Sequence, residues 1–151
     1  ITSKKRSIVA MEYVEIYAQN HDQDYHKMIL NKDAYAYYSM NIIDYLIGNT
    51  DRHCGNWGVW VDNSTNKIIG LHPLMDFNKA FTSYDTLEGA ICQTSKERLS
   101  QKDAAIEAVK QIGLNQITDV RQEWFSSEDQ WEMFNRRLEL LKKHDCRFAA
   151  K

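Results

Sequence analysis

The chain has 151 residues, about the size of one domain, and its 43% hydrophobic content argues against disorder. Its 19 basic and 21 acidic side chains give a net charge of -2, which does not indicate nucleic acid or an anionic membrane as a partner. No apolar run approaches the ~20 residues that cross a bilayer, and three scattered cysteines indicate neither a disulfide framework nor a zinc site. We therefore expect one globular domain over residues 1–151, in a reducing, cytoplasmic setting.

The first part of the chain predicts a strand followed by a helix. Ser7 to Tyr17 is rich in β-branched and aromatic residues with partial alternation, which predicts a strand that can turn helical late. Ala18 to Tyr25 is polar and predicts a loop. Asn31 is the predicted N-cap of a helix that has Asp33 in its first turn and Gly48 at its end. The predicted apolar face of this helix consists of Tyr35, Tyr38, Ile42, Tyr45 and Leu46.

A hairpin and a further helix are predicted next. Trp57 to Asp62 and Lys67 to Leu71 are its two strands, because the four residues between them are good turn formers. Thr82 to Glu97 has no regular period and predicts a long loop. Ser100 is the expected N-cap of a helix that stops at Gly113. Its apolar stripe consists of Ala105, Ile106, Val109 and Ile112.

The chain ends in a predicted helix that begins with the capping-box pattern of Ser127 and Gln130. Four apolar residues follow at helical spacing: Trp131, Phe134, Leu138 and Leu141. Four basic residues predict its solvated face: Arg136, Arg137, Lys142 and Lys143. The predicted fold is therefore mostly α, an α+β body with a small inserted β-hairpin.

Three oxygen-bearing side chains flank the predicted hairpin: Asp51 and Asn56 before it, and Asp76 after it. Phosphoryl transfer needs an acid for the attacking hydroxyl, an amide or carboxylate that holds magnesium, and a carboxylate that binds phosphates through the metal. Mg²⁺ prefers hard oxygen ligands and keeps several waters, so few protein ligands suffice when phosphates furnish the rest. The spacing of these residues permits such a site.

The run Asp51-Arg52-His53-Cys54-Gly55-Asn56, with Asp76-Phe77-Asn78 downstream, resembles the catalytic loop and metal-binding motif of protein-kinase-like folds. It is most similar to the HipA-like bacterial serine/threonine kinases, whose loop reads approximately N-T-D-x-H-x-x-N. The likeness covers roughly residues 42–81 and includes the Ile-Gly-Asn-Thr run before the acid. The core also resembles phosphoinositide 3- and 4-kinases, whereas ordinary protein kinases place histidine and arginine before the acid.

The resemblance implies the helical C-terminal lobe of a kinase that uses ATP and Mg²⁺ to phosphorylate a serine or threonine hydroxyl. It implies Asp51 as the catalytic acid/base, Asn56 as a ligand of the magnesium–nucleotide, and Asp76 as the counterpart of the DFG aspartate. His53 would lie in the catalytic loop and assist the phosphate or hold the loop. The implied partners are ATP and a protein substrate, with a separate N-terminal lobe or an antitoxin-like protein as further candidates.

Two features depart from the usual kinase pattern, although the HipA-like pattern tolerates variation at the first of them. Asn78 stands where many kinases have glycine, which makes the backbone there less permissive. There is no Gly-rich phosphate-covering loop, and Lys4 and Lys5 lie too near the start to belong to a complete lobe. We therefore expect a chain without its N-terminal lobe, and with weak or no activity by itself because half of the nucleotide site is absent. The first residue, Ile1 rather than Met, agrees with the expectation of a fragment.

Other interpretations stay open. Asp51 and Asn56 could be capping residues of a solvated loop, and His53 a hydrogen-bonded structural histidine. The chain could be a non-catalytic interaction scaffold, or a lipid kinase lobe of the phosphoinositide type, although no membrane-binding surface is evident. A transition-metal site at Cys54 is disfavoured because no second ligand falls at the right spacing. Direct nucleic-acid binding is disfavoured because no basic stripe accompanies the aromatic residues.

Overall fold

The computed structural model describes residues 6–74, 76–82, 84–114, 120–145 and 147. Within them the helices and strands follow in the order β1 (Arg6–Ala10), α1 (Met11–Asn20), α2 (Tyr25–Leu46), β2 (Gly58–Asp62), β3 (Ile68–Leu71), α3 (Gln101–Ile112) and α4 (Glu128–His144). A short 3-10 helix at Gln122–Trp124 precedes α4. The predicted α+β fold is confirmed, whereas its likeness to a kinase lobe stays a prediction.

The chain clusters into two compact units. The first consists of residues 1–37 and 52–76, and the second of residues 38–51 and 77–151. Helix α2 contributes its first part to one unit and its later part to the other. The prediction of one domain over residues 1–151 stays a prediction.

The first unit is built on a three-stranded antiparallel sheet with β2 in the middle. β1 pairs with β2 from Arg6 opposite Asp62 to Ala10 opposite Gly58. β3 pairs with the other edge of β2, with an irregular register at Trp60. The predicted hairpin is thus confirmed, and β1 adds a third strand that the sequence did not assign to it.

The strand predicted from Ser7 to Tyr17 is wrong beyond Ala10, where β1 ends and helix α1 begins. Met11, Val14 and Ala18 recur at three- and four-residue spacing and form the buried side of α1. The helical period of these buried residues therefore outweighs the β propensity of the segment, whose other aromatic and β-branched residues within α1 lie exposed. The loop predicted from Ala18 to Tyr25 is confined to residues 21–24.

Helix α2 begins at Tyr25 and is interrupted at Asp33, whose backbone is not helical. The Asp33 carboxylate accepts a hydrogen bond from the Ala36 N–H at 3.3 Å, as an N-cap does, and another from the Leu71 N–H of β3 at 2.9 Å. The prediction of Asn31 as the N-cap is therefore wrong by two residues. Tyr35 is also wrongly assigned to the apolar face, since it is 52% exposed.

Helix α2 is the longest helix, but it carries charged and polar residues along its length. Among the described residues, no helix is both long enough and apolar enough to cross a membrane. Gly48 follows α2 in the left-handed conformation, with φ of 64°, which confirms the predicted C-terminal stop.

The second unit has a core formed by the later part of α2 together with α3 and α4. Both predicted caps are confirmed: the Ser100 hydroxyl accepts from the Asp103 N–H, and the Ser127 hydroxyl from the Gln130 N–H. Gly113 has a φ of 75° and ends α3 as predicted. The buried residues of the core are Ile42, Tyr45, Leu46, Ala105, Ala108, Val109, Leu114, Phe134, Leu138 and Leu141.

One buried cation interrupts this apolar core. Arg137 is 0% exposed and donates to the backbone carbonyl oxygens of Tyr45 and Thr86. Its guanidinium lies 4.7 Å from the ring centre of Tyr45 and 4.4 Å from that of Tyr84. Burial lowers the pKa of Arg137 and raises that of Tyr45 to about 12. The predicted solvated face is therefore wrong for Arg137, because the hydrogen bonds and two aromatic rings compensate its burial.

Replacing Arg137 with methionine should lower the free energy of unfolding by about 2–4 kcal/mol. The Thr86 carbonyl loses its donor at a cost of roughly 1–3 kcal/mol, the Tyr45 carbonyl keeps only the Gly48 N–H, and the rings of Tyr45 and Tyr84 lose their cation. Urea unfolding followed by circular dichroism measures this change. Arg136, its exposed neighbour on α4, is the matched control, and its replacement by methionine should stay within about 0.5 kcal/mol. Equal losses in the two variants would contradict the role assigned to Arg137.

Candidate functional site

The first turn of α1 holds the loop of residues 52–57, which follows Asp51 and leads into β2. Ala10 precedes α1 and offers no capping side chain, so the leading N–H groups of the helix need other acceptors. The Met11 N–H donates to the carbonyl oxygen of Trp57 at 2.9 Å, and the Glu12 N–H to that of Cys54 at 3.0 Å. The backbone of the loop therefore caps the N-terminus of α1. The same two hydrogen bonds fix the position of the loop.

Arg52 and Asn56 close the same loop from within. Both residues are buried. The Arg52 guanidinium donates to the Asn56 carbonyl oxygen at 3.0 Å, and the Asn56 N–H donates to the carbonyl oxygen of His53 at 3.1 Å. The buried Arg52 side chain thus donates to the loop backbone a hydrogen bond that regular secondary structure would otherwise supply. The position of the Asn56 side chain is thus set by a closed backbone turn.

His53 is exposed, and its ring lies against the following backbone. The Nδ1 atom of His53 accepts a hydrogen bond from the Gly55 N–H at 2.9 Å, which leaves the proton of the neutral imidazole on Nε2. A Cβ atom at residue 55 would lie 2.8 Å from the imidazole Cε1, so this contact requires glycine. These contacts favour a loop-holding role for His53 over a role as proton acceptor at Nδ1.

Cys54 is tied to α1 by its side chain. Its thiol donates to the Glu15 carboxylate at 3.3 Å. Burial, followed by the hydrogen bond to Glu15 and the negative charge of that carboxylate, raises the pKa of Cys54 to about 11. Burial likewise raises the pKa of the nearby Tyr25 hydroxyl. Cys54 is therefore a protonated thiol near neutral pH and not a nucleophile.

Asp51 belongs to the second unit, where a buried amide fixes the backbone before it. The Asn49 side chain donates to the Asp44 carboxylate at 3.1 Å, and the Asn49 carbonyl oxygen accepts from the Gln101 amide at 2.7 Å. The Asn49 side-chain oxygen in turn accepts from the Asp51 N–H at 3.4 Å. Three buried side chains therefore hold the segment on which the half-buried Asp51 is carried.

Asp76 belongs to the first unit and lies exposed beyond β3. Its φ is 59°, in the left-handed region that few residues other than glycine and asparagine adopt. Asn78 is not among the residues of positive φ, whereas Phe81 is, with φ of 61°. Asparagine at position 78 therefore carries no left-handed backbone strain, although the sequence predicted a less permissive backbone there.

The motif residues are thus placed in different ways. His53 and Asn56 share one closed loop of the first unit, Asp76 lies exposed in that unit, and Asp51 stands on its own anchored segment of the second. Within the described residues, no three or more His, Cys, Asp and Glu side chains gather in a way that could hold a metal ion. The amide of Asn56 and the carboxylate of Asp76 are oxygen donors of the kind that fits Mg²⁺.

The residues that support the loop were missed by sequence reasoning. Arg52 directly follows the acid and Asn49 stands two residues before it, whereas Glu15 lies in a segment predicted as a strand. A signal was available for the first two, because an irregular loop that carries function needs its own donors and acceptors near the motif. Glu15 gave no such signal, since its contact joins residues 39 positions apart.

Comparison of the chain with protein-family models, with curated proteins and with solved structures finds no significant match.

Alkylation of Cys54 by iodoacetamide should reach half of its limiting rate near pH 11, because the thiolate is the reacting form and the pKa is about 11. Peptide mass spectrometry resolves this site from the other cysteines. Glu15→Gln should move the midpoint to lower pH, since the amide removes the negative charge beside the thiol. Glu12→Gln is the matched control with a smaller shift, because Glu12 contributes least. A midpoint at the ordinary value of 9.0 in the unchanged protein would contradict the assignment.

Proposed function

We propose that the chain is the helical C-terminal lobe of a HipA-like kinase, which transfers the γ-phosphoryl group of ATP to a serine or threonine hydroxyl of a protein. The observation that carries the proposal is the closed loop over residues 52–57, which holds the R-H-x-x-N part of the motif in a backbone fixed by α1 and by Arg52. A solvated loop that merely caps neighbouring backbone would not bury Arg52 and Asn56. The loop's construction therefore supports a functional interpretation of the motif.

Asp51 is the acid/base of the proposed reaction. The hydroxyl oxygen of the substrate forms a bond to the γ-phosphorus, and the bond from that phosphorus to the β–γ bridging oxygen breaks, so that ADP leaves. The proton of the hydroxyl passes to the Asp51 carboxylate. The anchored Asn49 supports this role, because a group that accepts a proton in the transition state must be positioned before the substrate arrives.

Asn56 and Asp76 are the proposed ligands of a magnesium–nucleotide. An amide oxygen and a carboxylate are hard donors that suit Mg²⁺, and two protein ligands leave the other positions to water and phosphate oxygens. When bound, magnesium neutralises charge on the phosphates. The side chain of Asn56 projects from a closed turn, so its position does not depend on the ligand. His53 and Gly55 keep that turn closed.

The transfer of labelled γ-phosphate from ATP to protein tests this function, with the 151-residue chain and with the longest protein encoded by its reading frame. Asp51→Asn should lower the transfer rate by about 10²–10⁴-fold, because it removes the proton acceptor. Asp76→Asn should weaken magnesium-dependent ATP binding measured by calorimetry. Asp22→Asn, an exposed aspartate of the same first unit as Asp76, is the control that should change neither.

Each outcome separates the alternatives. Absence of transfer in both proteins, with no magnesium-dependent ATP binding, would contradict the kinase proposal and favour the interaction scaffold. Phosphorylation of phosphoinositide headgroups instead of protein would favour the lipid kinase. Full transfer by Asp51→Asn would show that Asp51 is not the acid/base.

A further inference from the structure

The first unit carries a groove that the motif does not use. A cavity of about 460 Å3 opens between the exposed side of α1, the start of α2 and the sheet. Its size lies in the range of small-molecule sites. None of the motif residues from Asp51 to Asn56 lines it, nor does Asp76. A ligand held here would therefore be additional to the substrates of the proposed kinase.

Aromatic side chains form one wall of the groove. Tyr13 and Tyr17 stand four residues apart on α1 and are 61% and 50% exposed. The ring of Tyr17 is stacked on that of His21 with centres 4.0 Å apart, so one face of this wall is held in place. Val61 and Met28 line the apolar floor. Flat phenol faces above an aliphatic floor suit a flat aromatic body.

The charge of the groove has one sign. Lys32 and Lys67 line it, and no acidic side chain does. Within the described part of the chain, neither lysine ammonium forms an ion pair with a carboxylate. This excess of positive charge stands out because the chain as a whole has a net charge of -2. The unused charges of two lysines beside an apolar wall are complementary to a ligand that carries an anionic group on an apolar body.

We propose that this groove binds a small aromatic acid, with its ring against Tyr13 and Tyr17 and its carboxylate, sulfonate or phosphate beside Lys32 and Lys67. The ring supplies the apolar contact, and the anion supplies the selection against neutral molecules of the same shape. The proposal does not depend on the kinase function, because it uses a separate set of side chains.

Two fluorescent probes with the same arrangement of aromatic rings test the two halves of the proposal separately. 1-Anilinonaphthalene-8-sulfonate carries the anion, and N-phenyl-1-naphthylamine lacks it. Titration of the full chain at low salt should show the sulfonate binding more tightly. The double change Lys32→Gln with Lys67→Gln should weaken the sulfonate about tenfold and leave the neutral probe within twofold, because only the charge contact is lost. Added salt should weaken only the sulfonate.

Tyr13→Ala should weaken both probes about fivefold, because it removes the aromatic wall without disturbing a buried contact. Lys27→Gln and Tyr35→Ala are matched controls on exposed residues of α2 outside the groove, and both should leave binding unchanged. Thermal unfolding of each variant confirms that the fold is kept. Equal binding of the sulfonate to the unchanged protein and the double lysine variant would overturn the proposal. The proposal would also be overturned if the affinity for the probes fell as the protein concentration rose. That result would indicate that a second copy of the chain occupies the groove.

Discussion

The hydrogen bonds between the first turn of α1 and the loop of residues 52–57 are the constraint that fixes the arrangement of the first unit. β1 passes into α1 without an intervening turn, so the leading N–H groups of the helix arise directly at the edge of the sheet. They are satisfied by the carbonyl oxygens of Trp57 and Cys54, which lie one and four residues before β2 begins. Gly58 permits this approach, because a Cβ atom there would lie 2.5 Å from the Val9 carbonyl oxygen. Sheet register and loop conformation are therefore set together.

In the second unit, buried side chains rather than a helix end form the hydrogen bonds to backbone groups at the end of, or outside, regular secondary structure. Carbonyl groups at the end of α2 and in the long loop need donors, and Arg137 donates to two of them. One is the Thr86 carbonyl, and the other is the Tyr45 carbonyl, which also accepts from the Gly48 N–H. Gln101 supplies another to the segment that leads to Asp51. Long polar side chains that reach backbone carbonyls thus take the place of regular hydrogen bonding in both units, as Arg52 does in the first.

The sequence predicted what depends on neighbours in the chain. The hairpin, the Ser100 and Ser127 caps and the Gly48 and Gly113 stops need only local chemistry, and all were found. Helix α1 was misjudged because strand propensity and helical period compete over ten residues, and burial decided between them. The motif was recognisable by spacing. Its distant partners were not, because a bond such as that from Gln101 to Asn49 joins residues far apart in the chain.

Asp33 shows how a single polar side chain can exclude its closest isostere. One carboxylate oxygen receives an N–H from the restarted helix, and the other receives an N–H from β3. Asparagine has the same shape but only one acceptor oxygen, so its amide nitrogen would face one of these donors. A Cβ atom at residue 70 would lie only 3.0 Å from the same carboxylate, so glycine at that position leaves the space that the Asp33 side chain occupies. The interruption of α2 at Asp33 therefore favours an acid over its amide, because only the acid offers an acceptor to each of the two N–H groups.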